Sequence, residues 1–307
     1  MADFDALFDL DHRLPTGRLG DLIECALHEI DLHTLPDWGE HGRSDRLETI
    51  TEPSIAFRYT PHLFPDMDLK LRLAHKLQFH LLPRQLPEDA PVSIAACMES
   101  YCHLSGDLFG WEILSDGKLL LWILDVSGHG VRAGLASAML RVVIDNLRQR
   151  SRVDALAGEL NDVLMACIRP EHETLYITRF FIAIAEDGSS VYTSAGHQPM
   201  LVQTIDGDIR ALGSNSMPIG MVTGASYRKT ACRLAPSETL LLYTDGLLEA
   251  LNDPENPLEQ RRLRTFLGER FETPEALTCA LFDLVTRHQD LTQLDDDISF
   301  IAARLRA

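Results

Sequence analysis

The stretch Ser105–Gly130, SGDLFGWEILSDGKLLLWILDVSGHG, constrains the fold of this chain more than any other. Two apolar runs flank Ser115-Asp116-Gly117-Lys118, and Asp-Gly between alternating hydrophobic runs is a strong hairpin signal. With Gly117 in the left-handed position of a three-residue loop, Leu114 pairs with Lys118 and Asp107 falls opposite Asp125. Opposed residues on antiparallel strands share a face, with Cβ atoms roughly 4.5–5.5 Å apart. That face reads Asp107, Phe109, Trp111 and Ile113 on one strand and Leu119, Leu121, Ile123 and Asp125 on the other. It is apolar along its length, with two carboxylates at its open end. Such a pair repels and loses hydration, and a raised pKa or a bound cation relieves the conflict. The alternatives are that one aspartate turns out to solvent, or that a one-residue slip puts the two on opposite faces.

The 307 residues suit one large domain with an appendage, or two modest ones. An apolar fraction of 45% is ample for a core. No run approaches the roughly 18 apolar residues of a membrane span. The acidic start, MADFDALFDLDHR, lacks the basic region of a secretory signal. Cys25, Cys97, Cys102, Cys167, Cys232 and Cys279 are scattered without a Cys-x-x-Cys pair, which reads as reduced thiols in a cytoplasmic protein. A net charge of −18 argues against nucleic acid and against an anionic membrane as partners. Half of that imbalance lies in residues 1–66, where 14 Asp or Glu face 5 Arg. Such a surface repels phosphorylated substrates at long range, so any phosphate chemistry needs a local positive charge.

Residues 16–35 read as an amphipathic helix, capped by Thr16 and ended by Pro36 and Gly39. Residues 36–66 read as a loosely structured connector with one short strand at 54–59. Cys25, His28, His33 and His41 match no closed zinc spacing. Residues 68–82 form a second helix that ends at Pro83. Its stripe of Leu69, Leu73, Leu77 and Leu81, with Leu71, Phe79 and Leu82 off it, calls for neighbours on two sides. One neighbour is the following domain; the other is a second subunit, giving a homodimer through helix 69–82, or the helix is simply buried within its own chain.

From Val92 onward short strands dominate, at 92–98, the hairpin, 176–185, 190–194, 200–205, 209–212, 227–234, 239–243 and 299–305. Turns at Glu186-Asp187-Gly188 and Asp206-Gly207-Asp208 imply antiparallel pairing. Helical segments fall at 131–150, 153–168, 259–269 and 274–288. Runs of strands with paired helices predict an α+β fold, two packed antiparallel β-sheets flanked by helix pairs in an αββα layered sandwich, after a short N-terminal helical extension.

Two further acidic positions sit at strand ends. Thr239–Tyr243 stops at Thr244-Asp245-Gly246, and Asp295-Asp296-Asp297 precedes the last strand. Antiparallel pairing of those strands brings Asp245 and the acidic triplet to one edge. Aspartates at four strand ends suit hard divalent cations, although each one alone also suits a turn or cap. The triplet lacks the alternating spacing, Gly and distal Glu of an EF-hand loop.

Asp125-Val126-Ser127-Gly128-His129-Gly130, with Ser105-Gly106-Asp107 upstream, resembles the metal-dependent PPM-type protein phosphatases, in their SpoIIE/RsbU-like bacterial branch. Supporting motifs follow in family order: Leu81-Leu82-Pro83 with Leu86-Pro87, Ala195-Gly196-His197-Gln198-Pro199, Pro218-Ile219-Gly220, Tyr243-Thr244-Asp245-Gly246 and Asp296-Asp297-Ile298-Ser299. The resemblance covers about residues 75–305. It implies that Asp107, Asp125, Asp245 and Asp296, with the Val126 carbonyl, hold two Mn²⁺ or Mg²⁺ ions. Water activated by both ions would then attack a phosphoserine or phosphothreonine phosphorus without a covalent phosphoenzyme. His197 is a candidate for orienting substrate or protonating the leaving alkoxide, or simply holds its own turn. Ser127 reads as a cap for the helix at 131–150, and His129 as a loop residue.

Ser105 stands where the family usually has Gly, and Gly110 where it usually has a second Asp. Loss of that carboxylate would remove a contact near the metals and, with the acidic extension, motivates a rival reading, a non-catalytic regulator that binds a phosphoprotein or sigma-factor antagonist. A hydrolase of a small phosphate ester is a third. The family acts on phosphorylated STAS-type anti-anti-sigma proteins and is controlled through a helix just before the catalytic domain. The chain therefore divides into an acidic extension at 1–66, a linker or switch helix at 67–83, and a phosphatase domain at 84–307. The extension is expected to dock a partner or cap the helix.

Overall fold

The computed structural model describes residues 69–83, 86, 90–102, 104–147, 153–167, 175–251, 259–289, 291 and 294–306. The helix expected at 16–35, the strand at 54–59 and the boundary at 66 lie outside them. Six helices and ten strands follow the expected order: α1 (Leu69–His80), β1 (Val92–Glu99), β2 (Leu108–Ile113), β3 (Leu119–Val126), α2 (Val131–Leu147), α3 (Val153–Cys167), β4 (Ile177–Ile184), β5 (Ser189–Ala195), β6 (Met200–Gln203), β7 (Ile209–Leu212), β8 (Thr230–Arg233), β9 (Thr239–Tyr243), α4 (Asp245–Ala250), α5 (Glu259–Leu267), α6 (Pro274–His288) and β10 (Ile298–Leu305). Among the described residues no helix is long and apolar enough to cross a membrane.

The strands form two antiparallel five-stranded sheets, β1-β10-β9-β6-β7 and β2-β3-β4-β5-β8. Their alternation explains how one apolar run serves two cores. Leu240 and Leu242 of β9, with Ile301 and Ala303 of β10, join the cluster between the sheets. Leu241, Tyr243, Phe300 and Ala302 point the other way, into a second cluster with α4, α5 and α6. On the far side, Leu140 and Ile144 of α2 and Leu156 and Leu160 of α3 close the first cluster. Each fully buried side chain of this kind contributes about 1.5–3 kcal/mol. The expected layered sandwich is the observed one.

The strand expected at 227–234 shortens to β8, and Tyr227 stands outside it with its hydroxyl donating to Asn161 Oδ1 at 3.0 Å. Helix α1 packs within its own chain through buried His75 and Gln78, as does Leu82 just after it.

Candidate active site

The β2–β3 ladder runs from Ile113↔Leu119 to Leu108↔Leu124. Its turn is the three-residue loop read from Asp-Gly. Leu114 N donates to Lys118 O at 2.8 Å, Gly117 N donates to Leu114 O at 2.9 Å, and Gly117 takes φ +81°. The same register continues past the ladder, because Val126 N donates to Gly106 O at 3.4 Å. Asp107 therefore lies across from Asp125 at the open end of the hairpin.

The second sheet brings its acids to the same rim. Phe300 pairs with Tyr243, and the pairing extends through Thr244 N to Ser299 O at 2.9 Å. Asp245 thus begins α4 beside the acidic triplet that precedes β10. The approach is close: a Cβ on Gly246 would collide with the Asp297 carbonyl, so this turn needs its glycine. Thr244 joins the two sheets. Its hydroxyl donates to Asp107 Oδ2 at 2.8 Å and accepts from Ser299 N at 3.0 Å.

Burial and mutual repulsion make this rim costly when its carboxylates ionise. Burial holds Asp107 well above the usual carboxylate range; Asp125 and Asp297 add to it, and the Thr244 and Ser299 hydroxyls oppose it. Asp125 is pushed up to about 8 by burial first, then by Asp245, Asp296 and Asp297. Asp296 is raised by burial and by Asp245. Asp297 rises to about 6 through burial, against the backbone hydrogen bonds it accepts. Among the described residues no Lys or Arg forms an ion pair with any of these aspartates. Nor do three Asp, Glu, His or Cys side chains converge tightly enough to make a finished cation cage. The donor chemistry nonetheless fits a hard divalent ion: these are oxygen ligands, largely buried and destabilised by one another's charge.

Four supporting residues have a role that the sequence does not show. Asp297 accepts from Tyr101 N and from Gly106 N, both at 2.7 Å, and so pins the turn that presents Asp107. Gln78 of α1 reads the same turn from the other side. Its Nε2 donates to Ser105 O at 2.6 Å and to Ser137 Oγ at 3.0 Å, and its Oε1 accepts from Ser105 N at 2.9 Å. Thr178 donates to Asp125 Oδ2 at 3.4 Å and shares a 2.8 Å hydrogen bond with His197 Nδ1. Thr244 is the fourth. The adjacent acidic triplet and the Tyr-Thr-Asp-Gly motif are the only hints of Asp297 and Thr244.

His197 is buried, and burial, followed by the Arg179 charge, pushes it down to about 3. It stands as a neutral ring that supports Thr178. His129 is exposed and sits edge-on to Tyr101, with ring centroids 4.5 Å apart. Two sequence expectations are corrected. Ser127 does not cap α2; its Oγ accepts from Tyr176 N at 3.0 Å and its N–H donates to Tyr176 O at 2.9 Å, tying the Asp125 loop to the start of β4. Gly110, three residues from Asp107, points to the opposite face of β2. A Cβ there would collide with the Trp122 ring and lie 2.7 Å from an Arg141 nitrogen. A missing carboxylate at 110 is therefore not a missing contact in the acidic rim.

Residues 115–306 match the family described as Stage II sporulation protein E (SpoIIE). The chain belongs to the SpoIIE family. Phosphoserine phosphatase RsbP of Bacillus subtilis (strain 168) is 28% identical over 228 residues, which cover 72% of this chain and 49% of RsbP. The chain spans about half the length of the curated relatives it matches. Among solved structures, the SiaA-PP2C domain of Pseudomonas aeruginosa superposes with TM-score 0.65 at 21% identity, covering 76% of this chain and 95% of that one. RsbX, solved in complex with magnesium, gives TM-score 0.54 at 17% identity, covering 72% and 98%. The fold of this SpoIIE-family chain is that of PP2C phosphatase domains.

Proposed function

We propose that this SpoIIE-family chain is a Mn²⁺- or Mg²⁺-dependent protein serine/threonine phosphatase, acting on a phosphorylated STAS-type protein in a cytoplasmic partner-switching circuit. The observation that carries this reading is the concentration of buried and half-buried carboxylates on one rim, with Asp125 raised to about 8 by burial and by its acidic neighbours. The likeness to RsbP, a phosphoserine phosphatase by name, and the magnesium in RsbX support it. Asp107, Asp125, Asp245, Asp296 and the Val126 carbonyl would hold two ions. When bound, these would supply an activated water and positive charge for the phosphoryl oxygens.

The chain's own residues keep the carboxylates in place. Thr244 directs one oxygen of Asp107, Asp297 fixes the turn before it, and Thr178 with His197 steadies Asp125. In this reading 67–83 is the switch helix, and Gln78 is its handle on the Ser105 turn. A second copy on helix 69–82, or a partner on the acidic residues 1–66, would act through that handle. The rival, a non-catalytic regulator, rests on Gly110 and on the acidic extension; Gly110 packs away from the rim and lends it no support.

The deciding experiment incubates the full chain with Mn²⁺ and a phosphorylated STAS protein, beside Asp125→Asn. Phosphate release by the parent that vanishes in the variant is the expected result. Tight binding without release would replace the phosphatase by a scaffold, and release from small esters alone would replace its substrate.

A further inference from the structure

Arg179 of β4 is the one fully buried arginine among the described residues, and its surroundings do not neutralise it. None of its three guanidinium nitrogens has a hydrogen-bond partner among the described residues. No carboxylate among them lies within ion-pair distance. What surrounds it is aromatic: the guanidinium carbon sits 4.0 Å over the Phe181 ring and 5.7 Å from that of Tyr227. Ring faces attract a cation but accept few of its five N–H bonds.

Tyr227, and Asn161 beside it, are already committed. Tyr227 donates to Asn161 Oδ1 at 3.0 Å, and the same oxygen accepts from Gly220 N at 3.0 Å. The Asn161 Nδ2 goes to Val222 O at 3.1 Å. Asp162, the neighbouring carboxylate, is exposed and acts on Tyr227. One polar group on this face is uncommitted. Thr193 pairs with Phe181 across β4–β5, so it shares the face of Phe181 and Arg179, and its buried Oγ1 has no partner.

A buried charge without a counter-charge is among the most destabilising features a fold can carry. Water satisfies donors but leaves the charge unpaired. A planar fork of donors with a hydroxyl beside it suits an oxyanion, which accepts two parallel N–H bonds.

We propose that Arg179 and Thr193 form an internal site for a small inorganic oxyanion, phosphate or sulfate, between β4 and the loop 213–229. The site is separate from the acidic rim, which faces the other side of β4 through Thr178. Entry is by the loop, whose Tyr227 ring covers the guanidinium and whose Met217, Met221 and Val222 are exposed.

Thermal unfolding of the full chain tests this, with sodium phosphate or sulfate exchanged for sodium chloride at constant ionic strength. A chelator-treated sample runs beside a Mn²⁺-loaded one. In the chelated sample the acidic rim holds no cation to attract an oxyanion, so the response there reports Arg179. The parent is expected to show a saturable rise in Tm of roughly 5 °C. Arg179→Met keeps the packing over Phe181 and should lose the rise. Arg179→Lys keeps the charge without the fork and should need roughly tenfold more anion. Thr193→Val should also shift the titration to higher anion. A parent that ignores both oxyanions, or answers chloride equally, overturns the site. So does an unchanged response in Arg179→Met, or in Arg179→Lys should the Met variant not fold.

Discussion

Asp297 accepts a 2.7 Å hydrogen bond from the backbone N–H of Gly106, so the start of the last strand holds the turn that presents Asp107. Its other oxygen accepts from Tyr101 N at 2.7 Å. Asparagine keeps one acceptor but turns a donor toward the second N–H. A buried N–H left unmet costs about 1–3 kcal/mol. Asp297→Asn should therefore lower Tm by roughly 5 °C and reduce kcat/KM toward phosphoprotein by roughly 10–100-fold. Differential scanning calorimetry and a phosphate-release assay measure the two effects. Full activity in the variant would remove Asp297 from the supporting structure.

The legible part of this molecule is the part encoded by local rules. Asp-Gly and strict alternation set the hairpin register, because loop length and pleat leave one pairing that buries both runs. Antiparallel pairing of β9 and β10 followed from two buried runs whose acids sit at opposite sequence ends. The supporting residues were not legible for a physical reason. Gln78 meets Ser105 across 27 residues, Thr244 meets Asp107 across 137, and Asp297 meets Gly106 across 191. Two of these three contacts are with backbone atoms, which every residue type presents alike. Ser127 shows the converse error. Its position suited a local cap, but a contact with Tyr176, 49 residues away, took its hydroxyl.

The acidic rim fixes the sign of the pH dependence. A carboxylate whose pKa is raised on folding binds more protons folded than unfolded, so stability falls as pH climbs from its unfolded value through its folded one. For Asp125 that window runs from 3.8 to about 8. His197, lowered from 6.5 to about 3, acts oppositely: its contribution is present above 6.5 and is lost as pH falls toward 3. The two oppose each other below pH 6.5. Above it the carboxylates act alone. Chelated protein should lose Tm steadily between pH 6.5 and 8, whereas protein in saturating Mn²⁺ should not. Parallel pH–Tm curves with and without Mn²⁺ would show that no ion relieves the rim.

Gln78 is the point where helix α1 touches the site. Gln78→Leu keeps the bulk but leaves Ser105 N without its acceptor and Ser137 Oγ without its Nε2 donor. Ser105 O keeps one bond, from Ser137 Oγ at 2.9 Å. The loss falls on the turn before Asp107, so it should appear as a raised Mn²⁺ requirement, by roughly tenfold, more than as a lower kcat at saturating metal. Gln78→Glu, which replaces the donor by a second acceptor facing Ser105 O, should be no better. Metal titrations of turnover for the three proteins decide it; an unchanged Mn²⁺ requirement would detach α1 from the site.

Gly110 offers a test in which restoring the commoner family residue should harm. Asp107 and Gly110 are three residues apart on β2 and so face opposite ways. The Gly110 side is filled by the Trp122 ring, over which Arg141 sits 5.5 Å from the ring centroid while its Nε donates to Asp145 at 3.0 Å. A new side chain at 110 must displace Trp122, which is 1% exposed and has little room to move. Forcing atoms into a filled core typically costs about 1–3 kcal/mol. Gly110→Asp should thus lower Tm by roughly 2–10 °C and leave the Mn²⁺ affinity, read by calorimetric titration, unimproved. A variant that binds Mn²⁺ more tightly would show that position 110 reaches the acidic rim after all.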